Sequence, residues 1–100
     1  MQHEIFIHPV ARLRRPYPFI AVLQSDYASS DEILCAPLLS VPQPAITRGA
    51  PRVAILGQVF LLALLRMTPV PARMLRKPVG SVAAYRDDIL RALDWLFTGV

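Results

Sequence analysis

A mainly β protein, a small antiparallel barrel or sheet packed on one C-terminal helix, is the fold class that the sequence predicts. Three observations lead to it. Short runs rich in Ile, Val, Phe and Leu recur from His3 onward, bounded by Pro, Ser or Asp. Ten prolines punctuate the chain, the last at Pro78. They forbid a long helix before that point, because the ring removes a donor and clashes with the preceding turn. Beyond Pro78 the apolar residues change to three- and four-residue steps, the period of an amphipathic helix. Strands followed by a single helix pack as a sheet on a helix.

The elements follow in order. His3–His8 alternates and is rich in Ile and Phe, and Tyr17–Gln24 and Ile33–Leu39 are further β-friendly runs. Pro42–Pro51 reads as a loop with room for a short turn of helix. Arg52–Leu56 and Val59–Arg66 read as two buried strands joined by a tight turn at Gly57–Gln58. Met67–Val79 reads as an irregular edge segment, because Pro69 and Pro71 cannot both sit inside a central ladder. A helix is then expected from Ser81, whose hydroxyl would cap it. Val82, Tyr85, Ile89, Ala92, Leu93 and Leu96 make its apolar stripe, and Arg86, Asp87, Asp88, Arg91 and Asp94 its solvated face, with Asp87 and Arg91 paired one turn apart. Gly99 is placed to close the helix in a left-handed conformation, leaving Phe97 to Val100 as a short apolar tip suited to a partner.

A hundred residues make a single domain, 1–100, long enough for one core. At 54% apolar and 18% charged, the chain has more apolar surface than so small a domain can hide, so a homodimer is expected. The lone Cys35 excludes an intrachain disulfide and suits a reducing compartment. No basic-then-apolar leader precedes the first strand, and the expected location is the cytoplasm. The apolar run Val53–Leu65 falls short of the roughly twenty residues a spanning helix needs and is interrupted by Gly57 and Gln58, which disfavours the membrane.

Catalytic, metal and cofactor chemistry find little footing. His3 and His8, five apart, face opposite sides of a strand and cannot chelate one metal. Asp87 and Asp88 point about a hundred degrees apart on a helix, which suits its dipole better than acid–base work. Cys35 lies in an apolar strand with no cationic neighbour in sequence and reads as an inert thiol. Eleven Lys and Arg against seven acids give a net charge of +4, with clusters at Arg12, Arg14, Arg15 and at Arg73, Arg76, Lys77. Such clusters fit solvated loop charge, contact with nucleic-acid phosphates, or an acidic protein tail.

The opening Met1–Gln2 before an alternating strand, Leu23–Asp26 (LQSD), Cys35–Ser40 (CAPLLS) and the stretch from Pro51 to Val100 resemble, in order and spacing, the CcdB family of gyrase-poisoning toxins from plasmid toxin–antitoxin pairs. The weight lies in the shared order of these pieces. The resemblance implies the small SH3-like barrel that this family shares with MazF-like toxins, acting in plasmid maintenance. It implies a homodimer, an antitoxin partner, transcription regulation and DNA contact through that antitoxin alone. It also implies inhibition of DNA gyrase, a topoisomerase, by helix tips docked on the gyrase A subunit. No cofactor is implied. Carried over residue by residue, Phe97 matches the family's aromatic, Gly99 its glycine and Val100 its terminal aliphatic residue. Thr98 stands where the family has the tryptophan that anchors the contact, and Arg86, Asp87 and Arg91 stand where it is mostly Glu or Asn. Arg91, Asp94 and Asp87 complete the expected contact face. Trp95 either takes over the anchoring or covers the core or dimer seam. The departure at Thr98 leaves a second reading, a family member whose target is lost or changed. A third is RNA cleavage of the MazF type, for which Arg48 with Thr47 or Arg66 with Thr68 are the available pairs.

Overall fold

The computed structural model describes residues 1–26, 31–40 and 48–99. Within them lie seven strands, β1 (Glu4–Ile7), β2 (Phe19–Val22), β3 (Glu32–Ser40), β4 (Arg52–Ile55), β5 (Gln58–Leu62), β6 (Thr68–Pro71) and β7 (Gly80–Ser81), and one α-helix, α1 (Arg86–Thr98). The strands form one antiparallel sheet in the order β4-β5-β3-β2-β1-β7, with β6 beside β3. The expected mainly β fold with a terminal helix is the one observed. Of the loop expected at Pro42–Pro51, residues 42–47 lie outside the described residues.

β3 is the spine. One of its edges pairs with β2, from Phe19↔Leu38 to Val22↔Cys35. The other edge is shared, with Leu38–Ser40 facing β5 and Glu32–Cys35 facing β6. Pro37 sits where these two partners part. Its carbonyl accepts from the Ala63 N–H at 2.9 Å. A residue's nitrogen and carbonyl point to the same side of a strand, so the donor that Pro37 lacks falls at the gap between β5 and β6.

Side-chain alternation divides the apolar residues between the two faces of the sheet. Ile5, Ala21, Ala36, Leu38, Val53, Phe60 and Leu62 face α1 and form the main core with Val82, Ile89 and Ala92. Phe6, Ile20, Val22, Cys35, Val70 and Leu75 form a second, smaller cluster on the other face. The ends of the sheet approach one another: a Cβ on Gly80 of β7 would lie 3.6 Å from Ile55 of β4. The Tyr85 hydroxyl also accepts from the Ala54 N–H on β4 at 2.8 Å. An otherwise unpaired edge donor is thereby covered, which nearly closes the barrel and blunts the edge.

Four local expectations are corrected. The hairpin turn is centred on Leu56–Gly57, one residue earlier than expected, with φ of 52° and 80°. Two consecutive positive φ values make the primed type of turn whose twist matches the flanking strands. The strand expected to reach Arg66 ends at Leu62, and the chain turns through a short 3-10 segment, Leu64–Arg66, that buries Leu64. The segment expected to be irregular from Met67 contains β6, a short edge strand that tolerates Pro69 and Pro71 because β3 alone pairs with it. The helix begins at Arg86 rather than at Ser81. Gly80 and Ser81 are held by β1, Val82 donates to the His3 carbonyl at 2.8 Å, and a 3-10 turn over Ala83–Tyr85 intervenes. Ser81 still caps: its hydroxyl accepts from the Ala83 N–H at 3.0 Å, on that turn instead of on the helix.

Leu56 gives the turn a direct test. It is 72% exposed and has positive φ, a conformation costly for a Cβ-bearing residue and one that Asn tolerates. Leu56→Asn should therefore raise stability by about 0.5–1 kcal/mol, read from the urea midpoint. A fall in the midpoint would reject the turn.

Candidate partner-binding helix tip

α1 carries the expected stripe. Ile89 and Ala92 are buried, and Tyr85, Leu93 and Leu96 pack against the same core. Asp87 and Asp88 occupy its first turn, where carboxylates favour the positive end of the dipole. Arg91 pairs with Asp88 at 3.0 Å and not with Asp87, whose backbone carbonyl receives its Nε at 3.4 Å. Both spacings lie on one face of a helix, and here the three-residue step is the one used.

The tip projects from this packed base. Phe97 is 73% exposed. Leu90 lies two turns earlier on the same flank, with a large exposed apolar side chain. Gly99 has φ of 77° and donates to the Trp95 carbonyl at 3.0 Å, the left-handed closure its position predicts. Thr98 is exposed, and its hydroxyl donates back to the Asp94 carbonyl at 2.6 Å. That donor is therefore spent within the helix. Phe97, Thr98 and Gly99 are brought together at the tip. Asp94 and Arg91 lie exposed one and two turns back, and Asp87 stands about 15 Å along the axis from Phe97, so it is not part of the tip. Val100 lies outside the described residues.

Trp95 is 36% exposed, so much of its ring is covered. It lies on the flank of α1 opposite Phe97, half-exposed, with the Arg48 guanidinium 5.9 Å from its ring centroid. Gly49 passes close beneath. A Cβ there would meet the end of the Leu96 side chain at 3.3 Å and the Trp95 ring at 3.6 Å, a tight fit that any larger residue would have to open slightly. Leu65, 78% exposed, lies beside the same glycine. Leu65 thus adds apolar surface, and Arg48 a cation, beside Trp95, and nothing local in sequence announces it, since both come from connections far from the helix.

The remaining candidates disperse. Among the described residues no group of three His, Cys, Asp or Glu side chains could hold a metal ion. His8 Nδ1 accepts from the Val10 N–H at 3.1 Å, and burial, aided by Arg14, lowers its pKa. Burial likewise lowers that of His3, with Arg86 the next cause. Burial pushes the Cys35 thiol up to about 11, so it stays protonated and a poor nucleophile. Both basic clusters are exposed: Arg12, Arg14 and Arg15 lie on and after a 3-10 turn between β1 and β2, and Arg73, Arg76 and Lys77 on and after another beyond β6. Arg66 and Thr68 line one pocket, while Thr47 lies outside the described residues. Among the described residues no helix is long and apolar enough to cross a membrane.

No curated protein matches the chain. The family model described as CcdB protein matches residues 2–99, which takes in every strand and the whole of α1. With a nearly closed antiparallel sheet carrying one terminal helix, and a match of that extent, the chain belongs to the CcdB family, toxins of toxin–antitoxin pairs.

Proposed function

We propose that this protein is a non-catalytic cytoplasmic toxin that works as a homodimer and inhibits DNA gyrase by docking the tip of α1 on the gyrase A subunit. The observation that carries the reading is Phe97, the most exposed apolar side chain of α1, at the end of a helix whose Ile89, Ala92, Leu93 and Leu96 pack on the core. An aromatic of that exposure, beside the helix-closing Gly99, suits insertion into a partner's pocket. The exposed Leu65, Leu90 and Phe97 also suit a surface shared between two copies. The basic residues on both loops favour an antitoxin with an acidic tail, whose approach they would accelerate. DNA is contacted only through that antitoxin.

One observation favours a second reading, a changed target. Thr98 supplies no aromatic anchor, and its hydroxyl is already used by Asp94. Calorimetric titration of the protein into the dimerisation arm of its host's gyrase A protein separates the two. Saturable binding at one toxin dimer per gyrase dimer is the expected outcome. No heat from folded protein at high micromolar concentration would give the second reading. Deleting residues 97–100 should abolish growth inhibition, and inhibition that persists would exclude tip docking.

A further inference from the structure

The face of the sheet away from α1 holds a pocket of ≈ 310 Å³. Its floor is Ile20, Cys35 and Val70, all drawn from the second apolar cluster. Pro9, Pro37, Pro69 and Pro71 contribute to its walls. Fixed φ angles keep such walls in shape without a ligand, and the volume is at the low end of the roughly 300–1,000 Å³ typical of small-molecule sites.

The polar groups are of one kind. Among the described residues no Asp or Glu lines the pocket. Arg66 is exposed, with its guanidinium 6.0 Å from the Tyr17 ring centroid. Tyr17 stacks in turn with His8. Because His8 Nδ1 accepts a hydrogen bond, its neutral ring carries the proton on Nε2 and offers a donor there. Thr68 adds a hydroxyl. Leu13 and Met74, from the middle of the two basic clusters, also line the pocket, so both clusters border it. An apolar floor beneath donors and cations, with no carboxylate to compete, is complementary to an anion with an apolar body.

We propose that this pocket binds a small amphipathic carboxylate, an aryl or branched-alkyl acid, with its apolar body on Ile20, Cys35 and Val70 and its carboxylate at Arg66 and Thr68. A free acid is favoured over a peptide strand because Pro69 and Pro71 withhold N–H donors from β6, the strand an added chain would pair with. The site is independent of the helix tip, which stands on the opposite face.

The test uses 4-phenylbutyrate and its uncharged amide, followed by amide chemical shifts and by the rate at which a small thiol reagent modifies Cys35. The acid should bind saturably, with shifts centred on Ile20, Cys35 and Val70. At ten times its Kd it should slow Cys35 modification about tenfold, since only free protein reacts. The amide should bind roughly ten- to a hundredfold more weakly, the loss expected for a charge-assisted hydrogen bond. Arg66→Gln, an exposed change that leaves the fold intact, should weaken the acid about tenfold and leave the amide unchanged. Equal binding of acid and amide, shifts centred on α1, or no binding at the solubility limit would overturn the proposal. So would saturable pocket binding of an acetylated acidic tetrapeptide carrying one phenylalanine where the acid does not bind, an outcome that makes this a peptide site.

Discussion

Truncating Leu38 to alanine will lower the unfolding free energy by about 4 kcal/mol, near the upper end of the roughly 2–5 kcal/mol that such changes cost. Leu38 is fully buried on the spine strand β3. Phe19 of β2 and Leu62 of β5 flank it in the ladder, and α1 lies over the same core. A cavity there could close only if two hydrogen-bonded neighbours moved, which is why a large value is expected. Lys77→Ala supplies the control: at an exposed position beyond β6 it should change stability by no more than about 0.5 kcal/mol. Urea unfolding of both variants at one protein concentration provides the measurement, with a shifted midpoint and an unchanged slope expected for Leu38→Ala. A cost below about 1 kcal/mol would mean that β3 is not the packed centre of the sheet.

The same packing explains why so much of the fold could be read from the chain. Strand identity is written locally. Alternating Ile and Phe in β1, the run Phe19–Val22 and the stretch around Cys35 each present one apolar side chain per step to a face that is buried. In this barrel both faces are used, which is why β2 reads as continuous and not alternating. The stripe from Ile89 to Leu96 is equally local and was equally legible.

What escaped depends on partners distant in sequence. Ser81 has the chemistry of a helix cap, yet its backbone lies in β7 and pairs with β1, a pairing that no window around residue 81 contains. The turn at Leu56–Gly57 is signalled by its glycine, but leucine gives no warning that it too adopts positive φ. Pro37 marks the point at which one edge of β3 changes partner, and in sequence it is one proline among ten. The pocket is assembled from His8, Tyr17, Cys35 and Arg66, which share nothing but tertiary proximity. Around the tip, Phe97 and Gly99 were legible from helical period and capping. Arg48 over Trp95 was not, because the contact joins a connection to a helix nearly fifty residues away.

Replacing Thr98 with tryptophan should tighten gyrase A binding by roughly thirty- to a thousandfold, the equivalent of the about 2–4 kcal/mol carried by a buried aromatic hot spot. The position can accept the change. Thr98 is exposed at the last turn of α1, and the hydrogen bond it would lose, to the Asp94 carbonyl, leaves an oxygen that water can reach. Helix propensity differs little between the two residues, so the variant should fold as the parent does. Trp95→Ala is the informative companion, because Trp95, on the same helix, is half-exposed beside Arg48. If Trp95 has taken over the anchoring, Thr98→Trp gains little and Trp95→Ala loses a comparable amount. If the tip docks without an anchor, Thr98→Trp gives the full gain and Trp95→Ala costs little. Titration of both variants into gyrase A distinguishes these cases, and a null result in both, from folded dimers, would assign this toxin another target.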